Sequence, residues 1–220
     1  MANRYLRQFM YSAEIMPVNL MGSFTQNGST GTFATLTDNG ITWTAIRMGS
    51  AGNDITVALI AGGTAGSEVV TVTDKAISVQ IEDGVSTRTQ VETAVNTSPA
   101  ALALIAISVA SGSTAATLLS PTHLATGTDT VFITNAKNFT MAQIDTGTFE
   151  IQLQDKYNQL LYVDCSLQVT SPADLITQFQ SESVSSSKTI VVRVQSSASP
   201  TDMADTDVMY VDIKLRNSTN

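Results

Sequence analysis

Met209-Tyr210-Val211-Asp212-Ile213-Lys214-Leu215-Arg216 alternates apolar and polar side chains without a break. Successive side chains of a strand point to opposite faces, so Met209, Val211, Ile213 and Leu215 share one face and Tyr210, Asp212, Lys214 and Arg216 the other. A helix would scatter the same eight residues around its circumference. The pattern returns in Phe149-Glu150-Ile151-Gln152-Leu153-Gln154 and in Ile190-Val191-Val192-Arg193-Val194-Gln195. Strands with one apolar and one polar face are those of antiparallel sheets covered on one side.

Working outward, Leu161-Tyr162-Val163-Asp164-Cys165-Ser166-Leu167-Gln168-Val169 carries the only cysteine. Period-two spacing groups Cys165 with Leu161, Val163, Leu167 and Val169 as a buried set, which makes it a core thiol. Asp155-Lys156-Tyr157-Asn158-Gln159 between two alternating runs predicts a hairpin. In Ser171–Ser187, Pro172-Ala173-Asp174-Leu175-Ile176 suggests a short helix and the remainder a loop. Toward the N-terminus, strands are expected at Met16–Met21, Gly31–Leu36 and Ile41–Ile46, with a turn at Asp38-Asn39-Gly40 and Trp43 in the core.

The middle of the chain is richer in Ala, Gly, Thr and Val. Gly49-Ser50-Ala51-Gly52-Asn53-Asp54 opens it, followed by alternation at Ile55, Val57 and Leu59, then Val70 and Val72, then Ile77, Val79 and Ile81. Thr87-Arg88-Thr89-Gln90 fits a capping box, and Val91, Ala94 and Val95 continue at helical spacing to Asn96-Thr97-Ser98-Pro99. Strands at Ile105–Ala110 and Ala115–Leu119 complete a β-β-β-α-β-β order. The expected fold is mainly β. An antiparallel β-sandwich outer domain (1–47 plus 129–220) carries an inserted small α+β domain (48–128), which should fold alone when excised.

Composition narrows the function. Net charge is −8 and only 14% of residues are charged, against about 25% in ordinary soluble domains. An acidic surface repels phosphate backbones and anionic lipid, so neither nucleic acid nor membrane is an expected partner. The stretch after Arg4 and Arg7 lacks the apolar run of a secretory signal, so synthesis and assembly in a cytoplasm are expected.

Candidate chemistry is sparse. His123 is the only histidine, and a catalytic triad or zinc site needs partners that one histidine in a turn does not bring. Asp202, Asp205 and Asp207 could hold a hard cation or form a solvated acidic loop; their spacing is not that of an EF-hand. Gly62-Gly63-Thr64-Ala65-Gly66 is followed by a strand rather than the helix a phosphate cradle needs, and reads as a hairpin loop. No catalytic, metal-binding or cofactor-binding residue is assigned, and the expectation is a non-enzymatic protein. The residues best suited to an interface are Arg4, Tyr5, Leu6, Arg7, Phe9, Met10 and Tyr11, since aromatic and arginine side chains anchor protein contacts.

The central stretch from Gly49 through Gly84-Val85-Ser86-Thr87 and the Val91–Val95 helix resembles a small β-rich module of tailed-phage structural proteins. The flanks resemble phage virion proteins. That likeness lies in Asn3-Arg4-Tyr5-Leu6-Arg7-Gln8-Phe9-Met10-Tyr11-Ser12 with Pro17-Val18, in Gln154-Asp155-Lys156-Tyr157-Asn158-Gln159-Leu160-Leu161, and in Ile213-Lys214-Leu215-Arg216-Asn217-Ser218. The resemblance implies a structural, non-enzymatic virion protein. The first expectation is a capsid decoration (cement) protein on the capsid surface, contacting the major capsid protein and further copies of itself as a trimer or other small cyclic oligomer. A tail or head–tail component and a cell-surface or glycan-binding module are the alternatives.

Overall fold

The computed structural model describes residues 17–110, 114–170 and 174–216. In chain order they form β1 (Val18–Gln26), β2 (Phe33–Asp38), β3 (Ile41–Met48), a 3-10 turn (Ser50–Asp54), β4 (Thr56–Ala61), β5 (Val69–Thr73), β6 (Ala76–Ile81), α1 (Arg88–Asn96), α2 (Pro99–Leu102), β7 (Ile105–Val109) and β8 (Leu119–His123). Then follow β9 (Phe132–Thr134), β10 (Phe139–Asp145), β11 (Thr148–Leu153), β12 (Gln159–Gln168), β13 (Leu175–Ser183), β14 (Thr189–Ser196), β15 (Ser199–Pro200) and β16 (Val208–Arg216). The protein is mainly β, as its alternation requires. It divides into two compact units, Met1–Thr30 with Thr130–Asn220, and Gly31–Asp129.

The first unit holds two antiparallel sheets, ordered β12-β16-β1-β9 and β10-β11-β14-β13, with β15 on β14. β16 lies between β12 and β1, pairing Ile213 with Leu20 and Met209 with Phe24. Its Met209, Val211, Ile213 and Leu215 are buried, as the alternation demands, in one cluster with Phe149, Ile151, Leu153, Ile190, Val192 and Val194 of the other sheet. Each such side chain contributes about 1.5–3 kcal/mol on full burial. Aromatic rings stitch the sheets together: Phe24 meets Phe132 edge-on at 6.3 Å and Phe132 meets Phe149 at 6.1 Å.

The second unit holds a three-stranded antiparallel sheet, β2-β3-β7, and a four-stranded sheet, β5-β6-β4-β8, in which β4 and β6 run parallel. Trp43, Ile41, Ile105, Val57, Leu59, Ile77, Val79 and Ile81 share its core with Val91 and Val95 of α1. The capping box at the start of α1 is complete: Thr87 N–H donates to Gln90 Oε1 at 2.6 Å, and Gln90 N–H donates to Thr87 Oγ1 at 3.3 Å.

Several expectations change. The first boundary falls at 30/31, not 47/48, because β3 pairs with β7 along Ile41↔Val109 to Ala45↔Ile105. β2 and β3 therefore belong to the second unit, and residues 48–128 alone would lack part of its core. Asp155–Gln159 is not a hairpin turn: β11 pairs with β10 and β14, whereas β12 pairs with β16, so the segment passes from one sheet to the other. Buried Tyr157 pins it there, its N–H donating to Val184 O at 3.1 Å. Gly62–Gly66 is not a hairpin loop either. β4 and β5 do not pair with each other; both pair with β6, and the glycine-rich stretch is the crossover. A Cβ on Gly63 would lie 2.5 Å from Gln80 O, so glycine is needed for this close passage.

In β12 the register slips between Leu160 and Tyr162. Such a bulge inserts one residue and reverses the facing beyond it. Leu161 consequently points outward, 45% exposed, and Leu160 takes its place against the core. Leu175–Ser183, read as helix start and loop, is the nine-residue strand β13. The last strand of the second unit lies at Leu119–His123 rather than Ala115–Leu119.

Candidate functional site

Arg4, Tyr5, Leu6, Arg7, Phe9, Met10 and Tyr11, the expected interface residues, lie outside the described residues. The other candidates are placed, and most of them prove to be structural.

The three aspartates of the 199–207 loop do not converge. Asp202 Oδ1 accepts from Gln143 Nε2 and Gly147 N–H, both at 2.6 Å. Asp205 Oδ1 accepts from Gly28 N–H at 2.7 Å. Asp207, 2% exposed, accepts from Thr170 N–H at 2.8 Å and Thr170 Oγ1 at 3.0 Å on one oxygen, and from Ala204 N–H at 2.8 Å on the other. Each carboxylate ties down a different segment; Asp207 is buried and Asp202 half-buried, whereas Asp205 is exposed with Ala204 and Thr206, so the loop is solvated there and stapled internally at its two other aspartates. Among the described residues no group of three or more His, Cys, Asp or Glu side chains is arranged to hold a metal ion.

The glycine-rich crossover is equally committed. Ala65 N–H donates to Glu82 Oε2 at 3.1 Å and Gly66 N–H to Glu68 Oε1 at 3.0 Å, so protein carboxylates already hold the amides a phosphate would use. Buried Ser86 completes the arrangement, donating to Glu68 Oε1 at 2.7 Å.

Gly49-Ser50-Ala51-Gly52-Asn53-Asp54 closes the second unit where its chain arrives and departs. Ser50 N–H and Oγ donate to Asp129 Oδ1 and Oδ2 at 3.0 and 2.6 Å. Asn53 exchanges two hydrogen bonds with the Gly127 backbone, both 2.9 Å. Thr32 and Thr128 bond reciprocally through their amides and carbonyls. Gly49 sits at φ 117°, and a Cβ there would meet Asp129 Oδ1 at 2.5 Å. His123 joins this clasp, its Nδ1 lying 3.1 Å from Asn53 O.

Cys165 is buried, and desolvation, followed by the neighbouring Asp164 carboxylate, pushes its thiol up to about 12. A thiol in that state is neutral and unreactive at neutral pH.

What remains is surface on the first unit. The outward face of β12-β16-β1 carries exposed Tyr162, Tyr210 and Met21, with Asp164 directly opposite Asp212. Like charges facing across a strand pair destabilise it. Partial desolvation, then the Asp164 and Asp212 carboxylates, push the Tyr162 phenol above its usual range, and Asp164 accepts its hydrogen bond. Beside β12, a groove of about 380 Å³ is lined by Leu160, Leu161, Tyr162, Val163, Phe179 and Glu182. The β12 slip turns Leu161 outward, and Phe179, opposite Val192 on the outermost strand β13 and followed by a second slip, is 47% exposed. The sequence does not reveal this groove, because its walls come from a residue read as inward and a strand read as loop. No helix among the described residues is long and apolar enough to cross a membrane. No protein-family model, curated protein or solved structure matches the chain.

Proposed function

We propose that the chain is a structural virion protein of a tailed phage, a capsid decoration protein that binds and stabilises the major capsid shell. The observation that carries this reading is a contrast within the molecule. The candidate polar groups are spent on internal bonds, whereas the first unit exposes Met21, Tyr162, Phe179, Ile133 and Tyr210 to solvent. Exposed apolar side chains occur on both units, but among the described residues the exposed aromatics Tyr162, Phe179 and Tyr210 all lie on the first, and exposed aromatic side chains serve contact rather than turnover. The phage-like stretches around Gly49–Asp54 and at both ends of the chain add a class of partner: a repeated protein shell and other copies of this chain.

Arg4, Tyr5, Leu6, Arg7, Phe9, Met10 and Tyr11 are assigned to that contact, since many copies acting together offset the several kcal/mol each subunit loses on immobilisation. The test is co-sedimentation of purified protein with undecorated capsids. The full chain should co-sediment, and a chain lacking residues 1–11 should stay folded and remain in the supernatant. Absence of binding by the full chain would reject the reading.

One observation favours a second reading, a glycan-binding module. Tyr210, Asp164, Asp212, Ser23, Ser166 and Asn135 line a single depression on the outward face of the first unit, and an aromatic ring among carboxylate, hydroxyl and amide groups suits a sugar. Retention on a panel of immobilised host-surface glycans, abolished by Tyr210→Ala, would favour it over shell binding.

A further inference from the structure

We infer that Asn27 is a site of spontaneous deamidation, with the Asp205 carboxylate as its base. The inference is independent of the shell-binding and glycan-binding readings. The chain contains two Asn-Gly dipeptides, Asn27-Gly28 and Asn39-Gly40. In such a pair the glycine nitrogen can attack the asparagine side-chain carbonyl, because no Cβ obstructs the close approach of the backbone. The fold separates two sites that the dipeptide alone makes equal.

Asn39 is locked. With Gly40 it forms the two-residue turn between β2 and β3, closed by the Asp38↔Ile41 pair, at φ of 49° and 74°. Asn39 Nδ2, the group that would have to leave, donates to Asp38 Oδ2 at 2.8 Å and to Thr117 Oγ1 at 2.6 Å. Gly40 O accepts from Ala110 N–H at 2.9 Å, and the Arg88 guanidinium covers Gly40 so closely that a Cβ there would lie 2.5 Å from Arg88 Nη1. Ring closure at Asn39 has to break both side-chain bonds and distort the turn.

Asn27 is accessible and partnered by a base. It follows β1, outside any strand, and is exposed together with Gly28 and Ser29. Nothing lies within 4 Å of a Cβ built on Gly28, so the space over the dipeptide is open. Asn27 N–H donates to Val131 O at 2.9 Å, which anchors the backbone and leaves the side chain outside. Gly28 N–H donates to Asp205 Oδ1 at 2.7 Å, and this proton is the one that must depart before the nitrogen can attack. A general base has to stand within about 2.6–3.2 Å of the atom it deprotonates, and Asp205 does.

As Asp205 Oδ1 takes the amide proton, the Gly28 nitrogen bonds to Asn27 Cγ. The Cγ–Nδ2 bond breaks and Nδ2 departs as ammonia, carrying that proton, which leaves a five-membered succinimide and restores Asp205. Water then opens the ring at one carbonyl or the other and yields aspartate or isoaspartate; nothing is oxidised or reduced. Either product adds one negative charge to the −8 of the chain. That charge arises beside Asp205, and repulsion between the two carboxylates weakens the bond from Gly28.

The test is incubation of the purified full-length protein at neutral pH, with the Asn27 and Asn39 peptides followed by mass spectrometry. Asn27 should convert at least about tenfold faster than Asn39, which must first give up its two side-chain bonds. In denaturant the two rates should converge. Asp205→Asn keeps an oxygen to accept the Gly28 bond but is no base, and it should slow Asn27 by about tenfold or more while leaving the Asn39 rate unchanged. Equal rates in the folded protein, or a faster Asn39, overturn the inference. So do rates that stay apart in denaturant, because local sequence rather than the fold would then separate the sites. An Asn27 rate unchanged or raised in Asp205→Asn overturns it as well, since the carboxylate would then serve only to hold the loop.

Discussion

Asp207 is a buried carboxylate with no cation against it among its described partners; two amides and a hydroxyl satisfy it instead. Asp207→Ala would strand the Thr170 and Ala204 amides without their acceptor, a loss of about 1–3 kcal/mol for two partly buried donors on exposed residues. Asp207→Asn keeps one acceptor oxygen and should lose less; denaturant unfolding of both variants checks the order. Cys165 makes a pH-dependent contribution whose sign follows from its shift. Its folded-state pKa, near 12, lies above the ordinary value of 9.0. Above about pH 9 the unfolded chain therefore loses the thiol proton while the folded chain keeps it, and stability falls as pH rises. Near pH 10 the loss attributable to this group should reach about 1 kcal/mol. Cys165→Ala should flatten that part of the profile, measured as the denaturant midpoint from neutral pH to about pH 10 against the native chain. An undiminished slope in the variant would place its origin in other groups.

Among the elements, the clasp around Gly49–Asp54 is the most concentrated set of long-range polar contacts in the second unit. Asn53→Ala removes both bonds to Gly127 and should lower the stability of that unit by about 2 kcal/mol, read from its thermal unfolding; an unchanged transition would mean that water replaces the amide. Sequence and structure agree best where the information is local. Alternation in Met209–Arg216 identifies its buried face, and the Thr87–Gln90 spacing identifies the start of α1, because each depends on residues a few positions apart. Partner choice is another matter. Nothing in Asp155–Gln159 distinguishes a hairpin from a passage between sheets, since both need a short polar link. Nor does Leu161 disclose that an extra residue shifts β12 by one. β13 escapes reading because Thr177, Gln178, Gln180 and Ser181 blur its alternation. The groove depends on those last two features, so that part of the surface is the least legible in the sequence.

For the whole molecule, the division at Thr30/Gly31 and Asp129/Thr130 makes a direct claim about fragments. Residues 31–129 contain both partners of every strand pair in the second unit, so this piece is expected to unfold in one cooperative transition by circular dichroism. Residues 48–128 lack Ala34, Ile41, Trp43 and Ala45, which are fully or almost fully buried, and leave β7 without β3. That shorter piece should give no cooperative transition. A sharp transition in it would mean that the four-stranded sheet and α1 suffice, and that the three-stranded sheet is an accessory.

The hydrogen bonds between Thr32 and Thr128 also bear on how the chain reaches its native state. β1 pairs with β9 through Gln26↔Phe132, and in an unfolded chain that pairing must close a loop of roughly a hundred residues. Once the second unit has folded, the effective loop shrinks to roughly ten residues, and the closure entropy falls by about 2 kcal/mol. The second unit thereby acts as a folding template for the first, and it should acquire structure earlier. Pulse-labelled hydrogen exchange during refolding would record this as protection of β3, β4 and β6 amides before those of β1. Simultaneous protection throughout would indicate that β1 and β9 find each other without that help.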